Sequence, residues 1–334
     1  MRMLMRCGLA VVACGMAVQV QAAPAAGDRM QAACVASAPI QAGGGRITLS
    51  YDATAFAVGS PRICAWAIRA AQAVSVYYGR FPVSQVRVVI KPEDGDGVEG
   101  GTTYGDSDDG HPLIVIRLGR DASAAKLDDD WTMTHELVHT AFPSQDDDQH
   151  WIEEGLAVYV EPVARVQNGL LRPEKIWADM VRDMPKGSPG SADEGLDRTH
   201  SWGRTYWGGA QFCLLADVMI REQTHNRKGL QDALRAIVAA GGTIDQEWPI
   251  RKAFAAGDAG TGTHVLEDLY GRMGDAPVPV DLDGLWKKLG IEKTADGLRF
   301  DDHAPEAAIR LAITETPQSG RISPVAGEIH AAAK

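Results

Sequence analysis

The sequence predicts an α+β fold, a mixed strand/helix segment followed by a mostly helical one, and three observations carry that expectation. Between Arg46 and Leu118, short alternating apolar runs enclose one long stretch with helical periodicity. Beyond Asp130 the segments are mostly helical in pattern. Gly and Asp cluster in two places, Pro92 to Gly110 and Gly187 to Gly195, and both clusters read as surface loops.

Residues 1–22 read as an export signal. Arg2 and Arg6 precede an apolar stretch from Cys7 to Val18, which gives way to small residues at Ala22, Ala23 and Ala25. Neither that run nor any later one reaches the ~20 apolar residues of a transmembrane helix. The expectation is an exported chain, periplasmic or secreted, with no transmembrane segment after processing. Val11-Val12-Ala13-Cys14 loosely resembles a lipid-attachment site, but a very short apolar segment precedes it. Losing Arg2 and Arg6 leaves 31 basic residues against 44 acidic ones and moves the formal charge from −11 to −13. Such a balance argues against nucleic acid, whose phosphates it would repel. In an oxidising compartment Cys34 and Cys64 are able to pair, while Cys213 lies in an apolar helical stretch as a buried thiol; the sequence alone allows three pairings.

Residues 23–45, rich in Ala, Gly and Pro, are expected to form a flexible lead-in. A mixed lobe follows over 46–130. "RITLSYD" alternates as a strand, and "PRICAWAIRAAQAVSVYYG" places Ile63, Ala67, Ala70, Val74 and Tyr77 at helical spacing behind Pro61. "QVRVVI" and "LIVIRL" return to strand. The helical lobe spans 131–300, with helices expected at 131–142, 150–161, about 173–182, 201–224, 228–239, about 246–255, 264–273 and 282–289. Residues 301–334 are a C-terminal segment, a flexible tail from Thr316.

Within the first loop, "GDGVEG" from Gly95 to Gly100 satisfies the dinucleotide-binding fingerprint, but no helix start follows it and Glu93, Asp94, Asp96 and Glu99 would repel a pyrophosphate. It reads as an acidic loop. No P-loop or Gly-x-Ser-x-Gly elbow is present.

"DDDWTMTHELVHTAFP" reads differently. Asp130 suits an N-cap and Pro143 ends the helix. At ~100° per residue His135 and His139 share one face, and Met133, Leu137 and Ala141 share the opposite one. Glu136 stands one step aside. Two neutral imidazoles able to hold zinc, with a carboxylate beside them able to take a proton from water, form the arrangement metal-assisted hydrolysis requires. A third ligand is needed, and "HWIEEGLAVYVEP" supplies Glu154, a carboxylate among Trp151, Ile152, Leu156 and Val158 that is costly there unless paired or metal-bound. Gly155 beside it permits close approach of another backbone. Glu153 reads as solvated or as support for the ligands, His150 is an alternative ligand, and the run Asp146 to Asp148 reads as a solvated loop rather than a calcium site. Phe142 and Gln145 exclude a metzincin pattern.

His135-Glu136-Leu137-Val138-His139 followed by Trp151-Ile152-Glu153-Glu154-Gly155-Leu156-Ala157 resembles the gluzincin metallopeptidases, and "RTYWGGAQFCLLADVMIREQTHNRKGLQDALRAI" is similar to the glycyl-aminopeptidase family in particular. The likeness covers roughly Trp131 to Gly290. It implies a thermolysin-like catalytic domain with one zinc ion per chain on His135, His139 and Glu154. It also implies Glu136 as general base, Tyr206 as oxyanion donor, and a peptide or protein substrate. On the expected helix, Gly203, Ala210, Cys213 and Asp217 share the face of Tyr206 and would allow it to pack closely on the metal helices.

Two departures stand out. Gly208 occupies a position where the family pattern usually has Lys, and no Gly-x-Met-Glu-Asn segment precedes the zinc motif; in that region only "VEGGTTYG" is present, with Glu99 as a weak anchor for a substrate amine. Gly100 to Tyr104 would then serve as an edge that pairs with extended peptide. Two other readings remain open from sequence: a zinc hydrolase of a non-peptide bond, and a zinc-containing binding module without turnover. Glu136 argues against the second, because a structural site needs no base.

Overall fold

The computed structural model of the chain describes residues 39–107 and 110–317. The expected export signal, Cys14 and Cys34 lie outside the described residues. A five-stranded mixed sheet is built from β1 (Ile40–Ala42), β2 (Gly45–Ser50), β3 (Gln85–Glu93), β4 (Val98–Tyr104) and β5 (Leu113–Gly119), in the spatial order β1-β2-β3-β5-β4. Alternation decides which face is covered: Val86, Val88 and Ile90 on β3 and Ile114, Ile116 and Leu118 on β5 are all buried. Strands β2, β3 and β5 run parallel, so the chain must cross over between β2 and β3, and it does so through α1 (Ser60–Tyr78). Pro61 in its first turn starts that helix, and Gly79 at φ 74° ends it. Its face of Ile63, Ala67, Ala70, Val74 and Tyr77 is buried, as the spacing predicts.

The sheet extends beyond its predicted limits at both edges. β1 lies inside the expected lead-in, where the Gly43-Gly44 turn, with φ 52° and 85°, folds it back antiparallel onto β2. β4 lies inside the expected acidic loop and pairs antiparallel with β5. It is an edge strand of glycines, threonines and partly exposed side chains, so it carries no alternating apolar signal.

After the sheet come α2 (Ala124–Asp129), α3 (Thr132–His139), α4 (His150–Gln167), α5 (Pro173–Asp183), a π-helical turn over Gly203–Gly208, α6 (Gly209–Gln223), α7 (Leu230–Ala239), α8 (Ile250–Thr261), α9 (Val265–Met273), α10 (Leu282–Lys288) and α11 (Ala307–Thr314). The short α2 was not expected. The helix expected at 131–142 is shorter, and the one expected near 246–255 begins at Ile250. Residues 201–224 are not one continuous α-helix, because the π turn interrupts the register. Two strands, β6 (Ile291–Thr294) and β7 (Gly297–Phe300), form a hairpin within the stretch expected to be helical. The C-terminal segment is tied down as far as Thr316, whose hydroxyl donates to the Gln167 carbonyl at 2.8 Å. Helices α1, α3 and α4 pack on one another, so α3 stands between the sheet and the helices that follow.

Candidate metal centre

Helix α3 is apolar toward the core, where Met133 and Leu137 are buried as the periodicity predicts, and Ala141 just past its end is buried too. Asp130 accepts the amide of Met133 at 3.1 Å and the indole of Trp66 at 2.9 Å, so it caps the helix and fastens it to α1. The opposite face presents His135 and His139, whose ring centroids are 4.9 Å apart.

Glu154 reaches this pair from α4. Its Oε2 lies 3.3 Å from His135 Nε2 and 3.8 Å from His139 Nε2, and ligand atoms of the three side chains all fall within 4.8 Å of one another. Ligands on bonds of about 2.0–2.1 Å around a tetrahedral zinc ion stand roughly 3.3 Å apart, which the His135–Glu154 pair matches; the His139–Glu154 separation of 3.8 Å is wider, so an ion would draw the three side chains closer together. Burial pulls His139 down to about 3, so both of its nitrogens are not protonated together near neutral pH and one is available as a ligand. Burial works to raise the Glu154 carboxyl, but hydrogen bonds from His135 and His150 and the neighbouring imidazole charges outweigh it and hold the group well below the usual carboxylate range. The donor set of two imidazoles and one carboxylate suits zinc.

His150, the alternative ligand, stands on the outer side. Its Nε2 is 3.4 Å from the other oxygen of Glu154 and its Nδ1 is 3.0 Å from Glu153 Oε2. Glu153 also accepts the Gln145 amide at 3.2 Å. Both residues therefore brace Glu154. Asp146, Asp147 and Asp148 are exposed and join no metal-binding cluster among the described residues.

Glu136 faces β4. Thr103 donates its hydroxyl to Glu136 Oε2 at 2.6 Å, and the Glu136 carbonyl lies 3.0 Å from the same oxygen. A Cβ on Gly101 would stand 2.5 Å from Glu136 Cγ, so only glycine lets the strand lie this close. Burial raises the Glu136 carboxyl, with Thr103 and His135 opposing, which makes it a stronger base than an exposed glutamate. The sequence offers Gly100 to Tyr104 as an edge beside the cleft, but not the hydrogen bond of Thr103 or the close approach at Gly101, because the run Gly-Gly-Thr-Thr has no apolar periodicity.

Tyr206 enters through the π turn. Burial raises its phenol to about 12, helped by the charges of Glu154 and Glu136 and by a hydrogen bond to Glu154, so the hydroxyl keeps its proton. What brings it there is a contact of two glycines. A Cβ on Gly155 would lie 2.3 Å from the Gly209 carbonyl carbon, and one on Gly209 would lie 2.2 Å from the Trp151 carbonyl oxygen, so α4 and the start of α6 touch backbone to backbone. The close approach expected at Gly155 is thus present, with Gly209 as its partner rather than a continuous face through Gly203 and Ala210. Gly208 is buried, and a Cβ there would be 3.0 Å from the Arg204 guanidinium and 3.1 Å from Leu196 Cδ2, so a larger residue needs both side chains to shift. Arg204 itself is buried in an ion pair with Asp193 at 2.7 Å.

β4, α3, α4 and Tyr206 enclose a cleft of about 500 Å³ lined by His135, Glu136, His139 and Glu154, with Glu99 exposed on its β4 wall. Cys64 is disulfide-bonded and Cys213 is buried and free, as expected of it. No helix among the described residues is long and apolar enough to cross a membrane.

No family model matches the sequence, and no curated protein matches it. The fold matches solved structures. An aminopeptidase N family protein from Idiomarina loihiensis aligns with TM-score 0.54 and 15% identity over 76% of this chain and 49% of its own. An M1 zinc metallopeptidase from Deinococcus radiodurans aligns with TM-score 0.44 and 14% identity, over 73% of this chain and 53% of its own. A mutant of an M1 zinc metallopeptidase from Deinococcus radiodurans bound to a Tyr-Ser-Ala substrate aligns with TM-score 0.43, 14% identity, and coverage of 72% and 53%. The chain spans about half the length of these structures. The first of them shows the likeness of fold: a mixed sheet with helices, arranged as in an aminopeptidase N family protein.

Proposed function

We propose that this chain is an exported zinc metallopeptidase with a thermolysin-like (gluzincin) catalytic domain, hydrolysing peptide bonds with one zinc ion per chain. The observation that carries the reading is the convergence of His135, His139 and Glu154, whose ligand atoms lie within 4.8 Å of one another, with Glu136 beside them and held by a hydrogen bond from Thr103. The likeness of fold to an aminopeptidase N family protein supports it. The arginine-led apolar leader and the disulfide at Cys64 support export to an oxidising compartment.

Zinc bound by these three side chains supplies Lewis acidity, polarising a carbonyl and acidifying water. Glu136 accepts the proton of the attacking water as the new C–O bond forms. It then delivers that proton to the leaving nitrogen as the C–N bond breaks. Tyr206, protonated at neutral pH, donates to the oxygen on which negative charge develops. The edge of β4 that no strand covers among the described residues offers main-chain groups to an extended substrate. The test is zinc quantification on purified protein together with digestion of a mixed peptide library, with and without chelator. Stoichiometric zinc and chelator-sensitive cleavage are expected; cleavage that survives both chelation and Glu136→Gln would overturn the reading.

A further inference from the structure

Of the eight tryptophans in the sequence, two are largely exposed: Trp131 at 53% and Trp202 at 60%. The others are buried or partly buried. Each exposed indole leaves a large apolar surface in water, and each does so against a residue of the reaction centre. Trp131 sets its ring edge-on to His135 at 5.2 Å and lines the cleft, while Trp202 stacks on Tyr206 at 5.8 Å with 26° between the planes. Isolated exposed apolar side chains are ordinary on a protein surface, but the two exposed tryptophans both falling on catalytic side chains marks a binding surface.

Two further observations identify what binds. Among the described residues β4 pairs with β5 alone, which leaves its other edge without a strand partner there, and Gly101 brings that strand against Glu136. An open edge beside the base receives extended polypeptide, whose side chains alternate to either side of its backbone. The cleft carboxylates are otherwise engaged: Glu136 by Thr103, Glu154 by the imidazoles, Glu153 by Gln145 and His150, and Asp130 by Trp66 and Met133. Glu99 remains, on an exposed position of β4, where water screens a carboxylate too well for it to anchor a substrate ammonium strongly.

Building on the metallopeptidase reading, we propose that Trp131 and Trp202 are the apolar subsites beside the scissile bond. The protein then cuts extended polypeptide internally, next to large apolar side chains, rather than trimming residues from a free N-terminus.

The experiment digests a peptide mixture, one half N-acetylated, with wild type, Trp131→Ala, Trp202→Ala and the corresponding Phe variants, with and without chelator. Both indoles are exposed, so the variants should fold. Expected are chelator-sensitive internal cuts, equal in acetylated and free peptides and enriched in aromatic or large aliphatic residues at the cut. Each Ala variant should raise KM up to about tenfold, the worth of one aromatic contact, with kcat falling by less, and Phe should restore KM. Stepwise release from free N-termini that acetylation blocks would overturn the proposal. So would Ala variants that lower kcat at constant KM, which marks the indoles as mere supports for His135 and Tyr206, or cuts showing no apolar preference. A preparation that cleaves no peptide in a chelator-sensitive way fails the metallopeptidase reading itself and takes this proposal with it.

Discussion

Thr103 and Glu136 are joined by a 2.6 Å hydrogen bond between β4 and α3, and no other hydrogen-bonding side chain is found on that carboxylate among the described residues. It fixes the direction from which Glu136 faces the cleft. Thr103→Val keeps the shape and removes the donor. A hydrogen bond to a charged group is worth about 1.5–3 kcal/mol, so kcat should fall roughly tenfold or more with zinc content unchanged. Thr103→Ser should recover most of the loss. An unaltered kcat in Thr103→Val would mean that Glu136 is oriented by something else.

Glu136→Gln removes the proposed base while leaving His135, His139 and Glu154 in place. Steady-state hydrolysis should drop by about 10²–10⁴-fold, and metal analysis should still find one zinc per chain. Retained turnover would point to another proton acceptor.

For the metal itself, Glu154→Ala leaves the imidazoles of buried His135 and half-buried His139 without their carboxylate. Bound zinc measured after dialysis should fall to near background, whereas His150→Ala, which alters only the outer bracing of Glu154, should weaken binding by about 10–100-fold. If His150→Ala instead abolishes zinc binding while Glu154→Ala retains it, the assignment of the third ligand is reversed.

Tyr206→Phe deletes the hydroxyl proposed to meet the developing charge. The expected loss is about 10²–10³-fold in kcat, with KM little changed. A raised KM at unchanged kcat would instead describe a substrate-binding tyrosine.

The glycine contact makes a stability prediction. Gly155→Val inserts a side chain where even a Cβ would lie 2.3 Å from the Gly209 backbone, and the two helices must separate. Overpacking of this kind costs about 1–3 kcal/mol, a drop in Tm of several degrees by calorimetry, and Tyr206 should lose its position, so activity should fall further than stability alone explains. A variant with unchanged Tm would show that the helices do not meet there.

Much of the centre was legible in the sequence for a physical reason. Side chains that are to converge from one helix must recur at the helical period, so the cluster-forming His135 and His139 announce their own geometry, and Glu154 stands out as a carboxylate among apolar neighbours. Strands with one covered face, β3 and β5, were equally readable. β4 was legible only as a peptide-pairing edge over Gly100 to Tyr104 and not by periodicity, because an edge strand that must lie close to Glu136 is made of Gly and Thr, the composition of a loop. The hydrogen bond of Thr103 was hidden. The π turn at Gly203–Gly208 and the pairing of Gly155 with Gly209 are tertiary facts, decided by where α4 crosses α6, and local periodicity holds no record of them. The same is true of the β6–β7 hairpin, whose two short strands have mostly partly exposed or exposed side chains.

The π turn sets how the chain tolerates shortening. Such a turn holds one residue more than an α-helix needs, and each residue corresponds to about 100° of rotation. Loss of a single codon between Tyr206 and Gly209 would relax the turn to ordinary helix and swing the phenol away, while His135, His139, Glu154 and Glu136 stayed where they are. The outcome would be a protein that still loads its ion and no longer turns over, reached without replacing any of those residues.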